Sequence, residues 1–419
     1  MPTKIPVNWE EKTLGDLCTI RPPKSEVKDN LKLEDLVSFA PMEYLGIKSK
    51  YFSAPLLKPL KEVVNNYTYF ADNDVLLAKI TPCFENGKLG IATNLSNGVG
   101  FGSSEYLVFR TKPELNNQFL YYFLLREQFR IEGAKQMRGA VGHKRVPPDF
   151  IENYLIKFPK DIEEQQKIVA VLDEAFEEIE QAKQNAQINL QNAKDLFESY
   201  LHEIFTTNNA SWKNLKIEDI SEVKSGFNFS SKDFSSNNFV KSIKITNVGV
   251  GEFIDSSDSY LPENFKLTYK KYLVNKGEIV IALTRTIISS GLKVATVPSH
   301  YDQSLLNQRV ASIKVNENII DKNYIYLFLQ TNYVINYVKS QINELMQPNL
   351  SITDLKKLQV PLPSLELQKE IVYKLNTLQE QTEQLEQIYQ QKIELAEELK
   401  QSILQKAFSG ELIKHECLT

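Results

Sequence analysis

The sequence predicts an α+β protein in which a mixed helix-and-strand module ending in one long helix is followed by the same arrangement again. Three observations carry this. Residues 162–205 contain no Gly and no Pro, and Leu172, Ala175, Ile179, Ala182, Ala186, Asn189, Ala193, Leu196 and Tyr200 recur at alternating steps of three and four, a heptad seam. After Pro361 and Pro363, a second seam runs through Ile371, Leu375, Leu378, Thr382, Leu385, Tyr389, Lys392, Ala396, Leu399 and Ile403. The two helices open alike, Gln165-Gln-Lys-Ile-Val lying 203 positions before Gln368-Lys-Glu-Ile-Val. A helix of this length spans roughly 65 Å at 1.5 Å per residue. Its narrow apolar stripe cannot bury itself, so two seams of equal length in one chain are expected to satisfy each other.

The repeat runs through the whole chain. Trp9, Leu14, Asp16 and Leu17 correspond to Trp212, Ile217, Asp219 and Ile220, and each set opens a module with a short helical segment. Tyr69-Phe-Ala-Asp-Asn-Asp-Val-Leu-Leu-Ala matches Tyr272-Leu-Val-Asn-Lys-Gly-Glu-Ile-Val-Ile-Ala, a turn and then a buried strand. Gly98-Val-Gly-Phe-Gly reads as a hairpin. Phe119-Leu-Tyr-Tyr-Phe-Leu-Leu matches Tyr324-Ile-Tyr-Leu-Phe-Leu-Gln, an aromatic helix whose rings suit a core. Val146-Pro-Pro-Asp-Phe reads as a loop entering the strand before the first long helix. The expected domains are 1–158, a first module; 159–207, a central long helix; 208–362, a second module; and 363–419, a C-terminal long helix. Residues 20–68 share little with 224–268, and 79–103 share little with 284–307. The framework is common while the parts expected to touch something differ.

At 419 residues the chain exceeds the roughly 250–300 at which a single core stops growing. Residues 161–205 carry 3 basic and 11 acidic side chains, and 364–419 carry 6 and 10. The remainder is basic, with 22 against 18 in 1–160 and 18 against 14 in 206–363. Basic modules joined by acidic helices suit nucleic-acid binding by the modules. Cys18, Cys83 and Cys417 are too scattered for a disulfide framework and suit a reducing, cytoplasmic setting. His143, His202, His300 and His415 show no metal-ligand spacing, so no metal site is expected. No signal segment or membrane span is evident.

Catalytic patterns are missing. There is no Gly-x4-Gly-Lys-Ser/Thr loop and no nucleophile–His–acid set. What the modules offer are loops mixing basic, amide and hydroxyl side chains. In the first, Lys48, Lys50, Lys79, Thr81, Lys88, Ser103, Ser104, Arg138, His143, Lys144 and Arg145 are candidate DNA contacts. In the second they are Lys241, Lys244, Asn247, Arg285, Thr286, Lys293, Asn307, Gln308 and Arg309, and Gln347-Pro-Asn forms another such loop. Arg and Lys match guanine edges, Asn and Gln match adenine, and hydroxyls suit phosphates.

The opening Ile162-Glu-Glu-Gln-Gln-Lys-Ile-Val, the closing Gln405-Lys-Ala-Phe-Ser-Gly-Glu-Leu, and Leu77-Ala-Lys-Ile-Thr-Pro-Cys-Phe-Glu-Asn-Gly-Lys resemble the specificity subunit of type I restriction–modification enzymes. The resemblance covers the full chain. It implies two target-recognition domains of mixed α/β fold, separated by two helices in an antiparallel coiled coil, and hence internal pseudo-twofold symmetry. Each domain would read one half of a split, asymmetric DNA site. The chain would hold no cofactor and have no catalytic activity of its own. S-adenosylmethionine, ATP and magnesium would belong to partners: two modification (methyltransferase) subunits and, in the full complex, two restriction subunits that translocate and cleave DNA. Two other readings remain at this stage, a two-headed coiled-coil adaptor binding only proteins and a relic of a fused single-chain methyltransferase.

Overall fold

The computed structural model describes residues 6–28, 30–47, 49–140, 142–206, 211–237, 239–255, 260–341 and 349–412. Two compact units are present, Met1–Gln187 with Gln391–Thr419, and Ile188–Gln390. Both long helices, Ile162–Thr206 and Leu365–Ser409, contribute one part to each unit. Among the described residues no helix is long and apolar enough to cross a membrane.

In the first unit, a five-stranded sheet runs in the order Cys18–Ile20, Tyr106–Thr111, Val75–Ala78, Leu89–Ala92, Tyr51–Phe52. Its centre, Val75–Ala78, is buried throughout, as expected for a strand covered on both faces. A four-stranded sheet orders Leu56–Pro59, Leu36–Ala40, Val99–Gly102 and Thr68–Ala71. Here the Gly98–Gly102 stretch departs from the hairpin expectation: it is a strand pairing parallel with Leu36–Ala40 and antiparallel with Thr68–Ala71. Its glycines admit close neighbours, since a Cβ on Gly100 would lie 2.2 Å from the Phe70 ring. Pro148–Glu152 is likewise a short helix rather than a loop, with proline in its first turn, where the missing N–H costs nothing. A ribbon then leads into the long helix, Trp9–Thr13 pairing antiparallel with Leu155–Pro159.

The second unit repeats the plan. Its main sheet orders Ser221–Ser225, Val310–Val315, Ile279–Ala282 and Val294–Thr296. Lys213–Lys216 pairs with Gln359–Leu362 as the ribbon feeding the second long helix. The aromatic helices are core in both units. Asn117–Leu125 is capped by the Asn116 side chain, which accepts from the Gln118 and Phe119 N–H groups; Lys322–Leu329 is capped by Asp321 in the same way.

The two long helices run antiparallel. In the first unit Glu180 pairs with Lys400 and Lys183 with Glu397, so one number falls as the other rises. Phe408, near the end of the second helix, packs edge-on against Phe119 and Phe123. In the second unit Phe205, near the end of the first helix, packs on Tyr324 and Phe328, the matching rings of the repeat.

The seam differs from the sequence expectation in one of its two columns. Leu172, Ile179, Ala186 and Ala193 are buried, and Tyr200 is half-buried. Ala175 is half-buried as expected, but the second column is Phe176, Lys183, Leu190 and Phe197, all half-buried, rather than Ala182, Asn189 and Leu196, which are exposed; Leu196 is 48 % exposed. The second helix shows the same one-residue displacement. Ile371, Leu375, Thr382 and Ala396 are buried, and Leu378 and Ile403 partly so, but Glu386, Ile393 and Lys400 stand in for Leu385, Lys392 and Leu399. Leu399 is 50 % exposed and Leu385 37 %. Counting apolar letters misses this because Lys183 and Lys400 lay their methylene stems in the seam and pair their ammonium groups across it.

Candidate nucleic-acid interface

Each module is fastened to its long helix by one glutamine. The Gln165 side chain is fully buried. Its Oε1 accepts from the Asn116 N–H at 2.8 Å, and its Nε2 donates to the Glu114 carbonyl at 2.9 Å and the Pro159 carbonyl at 2.8 Å. Gln368 repeats every contact: it accepts from the Asp321 N–H at 2.7 Å and donates to the Pro363 and Ile319 carbonyls at 3.0 and 3.3 Å. Gln165 and Gln368 are therefore the structural meaning of the matched helix openings. Trp9 adds a bond of its own, its indole N–H donating to Glu164 at 3.1 Å.

With the modules so held, the end of the central strand and its flanking loops form the face where the candidate residues gather. In the first unit, Lys79 lies between two neighbours: its N–H donates to the Glu105 carbonyl, and its carbonyl accepts from the Val146 N–H. Ile80 bridges Arg145, and Arg138 also bridges Arg145, bringing the 138–145 segment alongside. Arg138, His143 and Lys144 are exposed, and their side chains have no partner among the described residues. Arg145 instead grips both Glu105 carboxylate oxygens, Nε donating to Oε2 at 2.9 Å and Oε1 at 3.1 Å and Nη2 to Oε1 at 2.7 Å. Those bonds hold the Glu105 carboxyl below its ordinary range.

Other candidates are committed elsewhere. Lys79 is half-buried and donates to the Ser104 carbonyl at 2.8 Å; desolvation lowers its pKa, with Arg21 and Arg145 adding to the effect. Lys88 donates to the Met42 carbonyl at 2.8 Å. Lys50 binds both Asp173 oxygens on the central helix, beside Tyr122, whose hydroxyl donates to Asp173 at 2.5 Å. Its charge is engaged inside the protein. The Thr81 hydroxyl donates to Glu85, and Ser103 accepts from the Glu105 N–H. Lys48 lies outside the described residues.

The second unit places Leu283 where the first has Lys79. Its N–H donates to the Arg309 carbonyl, its carbonyl accepts from the Leu350 N–H, and Thr284 bridges Asn349. Arg285, Gln308 and Arg309 are exposed. Asn307 is tied by backbone to Ile243 and Phe227. Lys293 is the counterpart of Lys88: Ala282 donates to its carbonyl as Ala78 does to that of Lys88, and its ammonium donates to the Ile245 carbonyl at 2.8 Å. Desolvation lowers its pKa. Asn247 is buried, donating to the Ile254 carbonyl, and Thr286 is buried. Lys241 lies over the Tyr301 ring and Lys244 over Phe234. Gln347 and Pro348 lie outside the described residues.

Sequence reading missed three sets of residues. Arg21 joins the basic face near Lys79. Glu105 is the carboxylate that neutralises Arg145. Met42 and Ile245, also 203 positions apart, begin the short turns that Lys88 and Lys293 pin, so the repeat does extend into a stretch that looked unrelated.

Among the described residues, no group of three or more His, Cys, Asp and Glu is placed to hold a metal ion. Comparison with known proteins matches the family model described as the type I restriction modification DNA specificity domain twice, over residues 6–190 and 209–395. The EcoAI type I restriction enzyme specificity subunit of Escherichia coli is 25% identical, the alignment covering 90% of this chain and 78% of that one. The MjaVIII specificity subunit of Methanocaldococcus jannaschii is 26% identical, over 98% and 94%. Two solved structures share the fold. One, from work on complex assembly and conformational transition of the type I R-M system, has a TM-score of 0.74 at 17% identity, covering 98% of this chain and 100% of that one. The HsdS subunit from Thermoanaerobacter tengcongensis gives 0.71 at 18%, covering 98% and 99%.

Proposed function

This chain belongs to the type I restriction modification DNA specificity family, and from that premise we propose that it reads a bipartite DNA site, one module per half-site, on behalf of methyltransferase and nuclease subunits that dock on it. The observation that carries the reading is the contrast between the two module faces. The fastening at Gln165 and Gln368 is the same in both units, whereas the exposed groups differ: Arg138, His143 and Lys144 in one, Arg285, Gln308 and Arg309 in the other. One scaffold presenting two different polar faces suits an asymmetric target. Phosphates would be met by the exposed cations, and bases by the arginine and amide groups at the strand ends.

The chain supplies the address and its partners supply the chemistry. Two modification subunits would carry S-adenosylmethionine and methylate adenine, and two restriction subunits would use ATP and magnesium to translocate and cut. The acidic outer faces of the long helices suit contact with proteins better than contact with DNA. The domains of the reading are 1–158 and 208–362 as the two readers and 159–207 and 363–419 as the helices between them.

The test is selection from randomised duplex DNA by the chain assembled with its modification subunits. A split sequence with two unrelated halves is the expected product. The chain alone, incubated with labelled S-adenosylmethionine and that DNA, should transfer no methyl group. Selection of no sequence, or methyl transfer by the chain alone, would overturn the proposal.

A further inference from the structure

The two faces differ most sharply at one pair of equivalent positions. Three backbone contacts establish the equivalence. Lys79 and Leu283 each donate to the residue just before the neighbouring strand, Glu105 and Arg309 respectively. Each accepts from the residue after the returning segment, Val146 and Leu350. The residues that follow, Ile80 and Thr284, each form an antiparallel bridge, to Arg145 and Asn349. Glu105 thus corresponds to Arg309, and Arg145 to Asn349.

In the first unit these positions hold opposite charges, and the side chains close on each other across the central strand with bonds of 2.7, 2.9 and 3.1 Å. In the second unit they hold a guanidinium and an amide. Among the described residues no carboxylate pairs with Arg309, both residues are exposed, and neither side chain has a partner. The donors that the first unit consumes internally meet no described acceptor in the second. A guanidinium offers a two-pronged donor matched to guanine O6 and N7, and an amide offers the donor–acceptor pair matched to adenine N6 and N7.

We propose that Arg309 and Asn349 are specificity-determining residues of the second half-site, reading adjacent purine edges, and that Glu105–Arg145 is the closed counterpart, which shapes the first module's face without reading through Arg145. This rests on the DNA-reading function above. It makes an asymmetric demand: the second half-site owes discrimination to this position and the first does not owe it to Arg145.

The test uses the full chain assembled with its modification subunits and a randomised duplex pool. Arg309→Ala and Asn349→Ala should each relax one base pair of the second half-site, by about 5- to 150-fold in discrimination, and leave the first half-site unchanged. The double variant R309E/N349R, which installs the first unit's ion pair, should lose the same discrimination while keeping the parent melting temperature, so that misfolding is separated from lost reading. Wild-type selection of a split site with full second-half discrimination retained in R309A, N349A and R309E/N349R would overturn the inference and leave the function standing. Relaxation of both half-sites together would overturn it as well. Selection of no sequence by the wild type would overturn both.

Discussion

Replacing Gln165 by leucine tests whether one buried amide fastens the first module to its helix. Leucine fills much of the same space but pairs with nothing. Three backbone groups then lose their partner: the Asn116 N–H and the carbonyls of Glu114 and Pro159, held at 2.8, 2.9 and 2.8 Å. A buried polar group left unpaired costs about 1–3 kcal/mol. Three such groups, with partial relaxation of the helix start, put the loss at about 3–5 kcal/mol. For a unit of about 200 residues each kcal/mol moves the melting temperature by roughly 2–4 °C, so a fall of at least about 6 °C is expected. Calorimetry of the full chain supplies its own control, because Gln368→Leu should lower the transition of the second unit by a similar amount and spare the first. Gln165→Glu sharpens the case: it restores an acceptor for Asn116 but sets a carboxylate against two carbonyl oxygens, so it should be at least as harmful as leucine. Gln165→Leu or Gln368→Leu melting within 1 °C of the parent on a scale of about 6 °C or more would refute the reasoning.

The other expectations can be taken together. Arg138→Ala and Lys144→Ala should weaken DNA binding at every sequence and reduce its salt dependence, whereas Lys88→Met and Lys293→Met should leave the salt slope unchanged because their ammonium groups already hold the Met42 and Ile245 carbonyls; titration at several salt concentrations separates them. Glu105 is held below its usual 4.5 by Arg145, so the pair's contribution is complete above that pH and fades as pH falls through the lowered value; Glu105→Gln should abolish this acid-sensitive increment, read by melting curves between pH 3 and 7 on a scale of about one pH unit per tenfold change in protonation. A fragment comprising the first module and the central helix, if it pairs with a second copy, would set Lys183 against Lys194 in place of Glu397; its dimer should therefore tighten as salt rises, and sedimentation showing the opposite trend would sink the argument.

Much of the fold was legible because it is written twice. The proline-led helices, the aromatic core helices and the buried central strand each announce themselves by period and by repetition 203 positions apart. The glutamine fastening was visible as matched letters, but its meaning lay in backbone partners some 50 residues away, which no local pattern reveals. The seam was misread by one residue in one column because a lysine counted as polar can bury its stem. The candidate contacts were legible as residue types only. Whether a lysine is free or committed depends on what folds beside it: Lys50 meets Asp173, 123 positions away, and Arg145 meets Glu105, 40 away, while Arg138 and Lys144 meet nothing described.

Among the described residues, every hydrogen-bond partner of the Gln165 and Gln368 side chains is a main-chain group. A side chain bonded only to backbone is indifferent to the identity of the residues it holds, so this fixture places no demand on the letters of the module beyond a chain path that brings one N–H and two carbonyls to it. Heritable change can therefore rewrite a module's outer loops, or replace the module wholesale, without a compensating change in the mount. A lineage carrying this chain can change the face a module presents in one genetic event, with the glutamine mount inherited intact.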